Sequence, residues 1–215
     1  MRRLLIRKIK LIRFKHFNLL ELLRRVWQLG AWNKRGYFEW SPTFIRQKLF
    51  MKYSVPDAPW VETGTCTGET TNFLRKRFPF VYTIEPGPIL YKKAVNRFKG
   101  KNVKVYNDIS ENSLPLLIPN LSGNINFWLD GHYSWGDTFE GPNHCPIKHE
   151  LKAIEDNLSS FSEITILIDD MRCFIRKDEG YPPLNYFVDW ARKNEFEWSI
   201  NHDIFIMMKG RSIPR

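Results

Sequence analysis

Along residues 4–29 the apolar side chains Leu5, Ile9, Ile12, Leu19, Leu22, Leu23, Val26 and Trp27 recur mostly at steps of three and four, with Arg and Lys between them. That periodicity predicts an amphipathic helix with a basic face. Between 27 and 53 the pattern yields to a dense aromatic set, Trp27, Trp32, Tyr37, Phe38, Trp40, Phe44, Phe50 and Tyr53, interrupted by Gly30, Gly36 and Pro42. Such density predicts burial against another surface, as plain packing or as a cap over a site, packing being the commoner use. Beyond residue 55, short apolar runs near 60–63, 80–84, 103–106, 125–129 and 164–168 alternate with stretches 68–78, 88–98, 111–121 and 146–159 long enough for helices. The alternation predicts an α/β body with helices on both faces, and right-handed crossovers make the five strands parallel. Two last runs, 196–200 and 204–208, are separated only by Asn201, His202 and Asp203, so they predict a C-terminal antiparallel hairpin, preceded by a helix over 184–193.

Composition adds a division that the hydrophobic pattern does not show. The chain has 215 residues, of which 43% are hydrophobic and 15% aromatic, enough for a packed core and incompatible with a disordered chain. Residues 1–52 hold 14 basic and two acidic side chains, leaving 19 basic against 21 acidic in 53–215. We therefore expect a basic arm over 1–52 and a near-neutral globular domain over 53–215. A basic amphipathic helix can lie on an anionic membrane surface, here through residues 1–30; packing on the body, an oligomer contact or nucleic-acid binding are the alternatives. Nucleic acid is the weakest of these, because its footprint usually recruits the folded body. Cations interrupt every apolar stretch of the first 30 residues, so neither a spanning helix nor a secretory signal is expected, although the scarcity of acids leaves an organelle transit peptide open. Cys66, Cys145 and Cys173 suggest neither a disulfide framework nor a zinc site. Together these features favour a cytoplasmic protein, peripheral at the cytoplasmic face of a membrane if the arm binds lipid.

An open α/β sheet binds its ligand outside the carboxyl ends of its parallel strands. At those ends stand Glu62 with the segment 64–68, Glu85, Asn107 and Asp108, then Asp130, Gly131 and His132, and last Asp169 and Asp170. Any one strand-end carboxylate can simply cap a helix; a succession of them along one edge points to a ligand. Two long connections at the same edge, 133–145 and 171–183, are expected to act as lids or substrate contacts.

The run Val61-Glu62-Thr63-Gly64-Thr65-Cys66-Thr67-Gly68 resembles the E-x-G-x-x-x-G first motif of class I S-adenosylmethionine-dependent methyltransferases. The resemblance covers about residues 58–208 and implies a Rossmann-like, seven-stranded, mostly parallel sheet. It implies that Glu62, Thr63, Gly64, Thr65 and Gly68 form the cofactor loop. Glu85, 21 residues after Gly64, matches the acid that accepts hydrogen bonds from the ribose hydroxyls. Asp108 and Ile109 match the adenine-binding pair, with a helix N-cap as the alternative role for Asp108.

The segments Leu129-Asp130-Gly131-His132-Tyr133 and Ile168-Asp169-Asp170 are similar to the L-D-G-D-x-Y and I-D-D segments of macrocin-type sugar O-methyltransferases. That similarity implies a Mg²⁺ ion held by Asp130, Asp169 and Asp170, and methyl transfer to a hydroxyl of a sugar or glycan, which the arm would favour as lipid-linked. His132 stands where the family has a second Asp, and is read as the general base; a strand-end hydrogen bond or metal binding are its alternatives. Asp130 is the second catalytic candidate. The rival readings are a nucleic-acid methyltransferase and a non-catalytic, membrane-associated module on the same fold. Against the first stands the absence of an N-P-P-[YF] segment.

Overall fold

A computed structural model of the chain describes residues 19–37, 41–131, 144–176, 178 and 180–214. His132 and most of the 133–145 connection lie outside the described residues, as does the arm before Leu19.

Residues 19–34 are helical (α1). They are followed by α2 (Thr43–Tyr53), β1 (Trp60–Thr63), α3 (Glu69–Leu74), β2 (Val81–Ile84), α4 (Pro88–Phe98), β3 (Val103–Tyr106) and α5 (Ser110–Leu117). The second half continues through β4 (Gly123–Leu129), α6 (Ile147–Glu155), β5 (Phe161–Ile168), α7 (Met171–Arg176), α8 (Leu184–Lys193), β6 (Glu197–Asn201) and β7 (Ile204–Lys209). The strands form one sheet in the order β3-β2-β1-β4-β5-β7-β6. The first five strands are parallel, and β7 pairs antiparallel with both β5 and β6. This is the expected seven-stranded sheet.

The body reads as anticipated because the central strands feed two different cores, one on each face of the sheet. On one face Val61, Ile84, Phe127, Ile166 and Phe205 pack with Leu114, Leu151 and Phe187 from α5, α6 and α8. On the other, Trp60, Val81, Trp128, Leu167 and Ile206 pack with Phe73 and Leu74 of α3 and with Leu49, Phe50 and Tyr53 of α2. Strands buried on both faces explain the near-continuous apolar runs of β4 and β5. The hairpin turn is tighter than the sequence suggested. His202 and Asp203 alone occupy it, both at positive φ (50° and 70°), as a two-residue turn with left-handed positions requires.

Two segments differ from expectation. The 171–183 connection is not a plain loop: it begins with α7, whose Met171 and Phe174 enter the first core. Residues 43–53 form a full helix, and the division drawn between 52 and 53 runs through it. Phe50 meets the rings of Trp60 and Trp128 edge-on at 5.5 and 4.8 Å. Asn126 of β4 fixes the following turn, accepting from the Val55 N–H at 2.7 Å and donating to the Val55 carbonyl at 3.1 Å. At least from Thr43 onward the aromatic segment is core, which is the packing role.

Candidate active site at the carboxyl edge of the sheet

The chain order reverses between β1 and β4, where open sheets of this kind place their ligand. Gly64 follows β1 at this point with φ +83°, and a Cβ there would lie 2.2 Å from the Asp130 carbonyl oxygen. Gly68 has φ +74°, and its Cβ would meet the Phe98 ring at 2.9 Å. Both glycines are thus demanded by close approach within the chain, across the switch point and against α4.

The carboxylates divide into two groups. Glu62 is fully buried and its Oε2 accepts from the hydroxyls of Thr71 (2.5 Å) and Thr83 (2.7 Å). It therefore ties β1, β2 and α3 together beneath the edge. Among the described residues Oε1 has no hydrogen-bond partner, and burial pushes the carboxyl up to about 7. Thr65 and Thr83 share a 2.6 Å hydroxyl contact, and the Thr63 hydroxyl accepts from the Asp130 N–H at 3.2 Å. Three residues expected at the cofactor, Glu62, Thr63 and Thr65, are in this way framework groups that shape the loop. Glu85 lies nearer the ligand edge. Its two oxygens accept from the N–H groups of Cys66 (2.7 Å) and Gly87 (2.9 Å), which fastens the loop after β1 to the end of β2. Burial raises its pKa against the pull of those two bonds.

Asp108 at the end of β3 is exposed, and Oδ1 accepts from its neighbour Ile109 N–H (2.8 Å) and from the Asn112 amide (3.0 Å). Ile109, not Asp108, is the N-cap of α5. Asp108 borders an open groove of about 610 Å³ lined also by Tyr82, Tyr106, Asn107 and Leu117.

Across the switch point the structure brings Asp130, Asp169 and Asp170 to one edge, together with two arginines that the sequence did not single out for the site. Asp169 Oδ2 accepts from Arg46 of α2 at 2.8 Å, and Oδ1 accepts from the Asp170 N–H at 2.9 Å. Arg172 bonds Asp170 at 2.5 Å and also Asp203 of the hairpin turn. Burial alone would lower the Arg46 pKa, but Asp169, Asp130 and Asp170 outweigh it and hold the guanidinium charged; Asp170 and Asp203 do the same for Arg172. Asp170 occupies left-handed backbone, φ 59°, an uncommon conformation for a non-glycine residue and frequent at functional sites. Ser41, Arg46, Asp169, Asp170, Arg172 and Asp203 line a small cavity of about 80 Å³.

This donor set does not fit the Mg²⁺ ion that the sequence resemblance implied. Two of its three expected ligands are already neutralised by guanidinium groups, and among the described residues no three His, Cys, Asp or Glu side chains gather as a metal site. A divalent ion needs several oxygens turned toward one point.

No protein-family model matches the sequence, and no curated protein matches it. Solved structures do resemble the fold. An S-adenosylmethionine-dependent methyltransferase from Anabaena variabilis superposes with a TM-score of 0.52 at 12% identity, covering 79% of this chain and 84% of its own. A putative rRNA methylase from Clostridium thermocellum gives 0.51 at 12% identity, covering 77% and 95%. The 23S rRNA methyltransferase ErmE gives 0.50 at 19% identity, covering 82% and 71%. The chain has the Rossmann-like methyltransferase fold.

Proposed function

We propose that the protein is an S-adenosylmethionine-dependent methyltransferase that alkylates a hydroxyl group of a sugar or glycan. One observation carries this reading. On a β3-β2-β1-β4-β5 sheet, acidic residues end or follow β2, β3, β4 and β5 on both sides of the switch point, with a glycine-rich turn between them. Acceptors at the ends of β2 and β3 suit a nucleoside: Glu85 for the ribose hydroxyls, Asp108 for the adenine amino group, and Ile109 for the ring. The groove beside Asp108 supports an accessible ligand there. When bound, the cofactor supplies an electrophilic methyl group on a sulfonium centre.

The remaining residues prepare the acceptor. Asp130 stands at the switch point, half-exposed, and is the described carboxylate best placed to take a hydroxyl proton. His132 is the second candidate base, two residues further along. Arg46 and Arg172 bond and orient Asp169 and Asp170 without a metal, so that the pair can accept hydrogen bonds from neighbouring sugar hydroxyls. The L-D-G-H-Y and I-D-D segments favour a sugar acceptor. Methylation of RNA is the second reading, favoured by the basic arm and by the rRNA methyltransferases among the structural neighbours.

Calorimetric titration with S-adenosylmethionine tests the proposal. Wild type is expected to bind in the micromolar range, and Glu85→Ala to lose ~1–3 kcal/mol of binding free energy, the scale of hydrogen bonds to a charged acceptor. Absence of binding by folded wild type would overturn the cofactor assignment. Transfer of labelled methyl to RNA but not to glycan acceptors would instead support the second reading.

A further inference from the structure

Helix α1 is amphipathic in the inverted sense. Its apolar side chains Leu19, Leu20, Leu22, Leu23, Val26 and Trp27 are all more than half exposed, up to 68% for Leu20 and 72% for Trp27. The side turned toward the body is instead marked by the partly covered Glu21, Gln28 and Ala31 and by the buried Trp32, with the Arg25 guanidinium 5.3 Å from the centroid of the Phe44 ring. A helix that packs only on its own domain does the opposite. The apolar stripe is contiguous, since positions 19, 22, 23, 26 and 27 repeat at steps of three and four.

We propose that this outer face of α1 docks the protein on an anionic lipid surface. Charge decides between the occupants. Residues 1–37 contain 11 Lys and Arg and one acid, Glu21. A second copy would bring two such segments together and meet their mutual repulsion, whereas an anionic bilayer accepts the apolar stripe and the flanking cations at once. Nucleic acid would answer the cations but leave Leu20, Leu23 and Trp27 in water. The anchoring point also orients the molecule. Trp32 packs its ring on His202 at 4.9 Å, in the hairpin turn whose Asp203 bonds Arg172 beside Asp170. A helix fastened there keeps the carboxyl edge of the sheet close to the lipid. The proposal stands on the exposed face of α1 and the charge of residues 1–37, and does not depend on the cofactor assignment.

Flotation of the full chain with vesicles tests it, comparing phosphatidylcholine alone with equimolar phosphatidylcholine and phosphatidylglycerol. Wild type is expected to float with the anionic vesicles roughly tenfold more than with the neutral ones, and less at high salt. Leu23→Glu with Trp27→Glu is expected to abolish flotation while leaving the melting temperature unchanged, because both side chains are solvent-exposed. Equal flotation of the variant, or none by wild type, would overturn the proposal. So would a wild-type dimer, seen by sedimentation, that the double variant loses, or RNA that binds tightly and displaces the protein from vesicles regardless of those two substitutions.

Discussion

Glu62 ends β1 as one of the strand-end acids, but its buried carboxylate bonds Thr71 and Thr83, and the consequence is a pH dependence of folding. An unfolded Glu has its ordinary value of 4.5, while in the folded chain burial lifts Glu62 to about 7. Between these two values the native state binds the proton and the unfolded state does not, so stability falls as pH rises through the window and levels above it. The size is on the order of 3 kcal/mol. Glu62→Gln keeps an acceptor for the two threonines and cannot ionise. In urea unfolding at about pH 5 and about pH 8, the variant is expected to gain on wild type by that amount at the higher pH. Parallel pH profiles for the two proteins would mean that Glu62 stays charged in the fold.

At the scale of elements, α2 changes the account of the arm. Its Phe50 is 1% exposed and lies between Trp60, Phe73 and Trp128. Phe50→Ala is expected to cost ~3–5 kcal/mol in equilibrium unfolding, the usual result of emptying a ring site in a core. A cost below ~1 kcal/mol would return 43–53 to the status of an appended arm. The elements differ in how far sequence could reveal them. The five parallel strands were legible because each is an isolated apolar-rich run, with buried residues in all but the sheet-edge strand β3, and the strand-end acids were legible because a strand's end fixes where the next residue stands. Asp130, Asp169 and Asp170 were found in this way. Arg46 could not be: its partner Asp169 is 123 positions away, and nothing in a helical stretch names the carboxylate that its guanidinium reaches. The same long-range pairing explains why a three-carboxylate metal set looked natural in sequence and does not survive in space. Gly64 and Gly68 were identified as necessary for a reason the sequence could not supply, the Asp130 carbonyl and the Phe98 ring. Met171–Arg176 escaped because a six-residue helix is too short to show a period.

For the whole molecule, the proposed cofactor site is assembled from the ends of neighbouring strands and the loop after β1, and this links ligand binding to global stability. Glu85 joins the ends of β1 and β2 through the Cys66 and Gly87 amides, while Asp130 is joined to β1 through Thr63. A ligand held at the ends of β2 and β3 binds the folded chain and has no counterpart in the unfolded one. At a concentration about 100 times its dissociation constant it adds ~2.7 kcal/mol, which for a chain of this size raises the melting temperature by roughly 5–10 °C. The variants separate this linkage from mere loosening of the fold. Phe50→Ala lies in the core on one face of the sheet and away from the edge, so it should melt well below wild type and still gain a similar increment from S-adenosylmethionine. Glu85→Ala should lose most of the increment at the same ligand concentration, whatever its melting temperature without ligand. Scanning calorimetry of the three proteins with and without ligand measures both quantities together. If Phe50→Ala loses the increment as completely as Glu85→Ala does, the ligand is responding to general order in the sheet, and the assignment of Glu85 to the ribose falls.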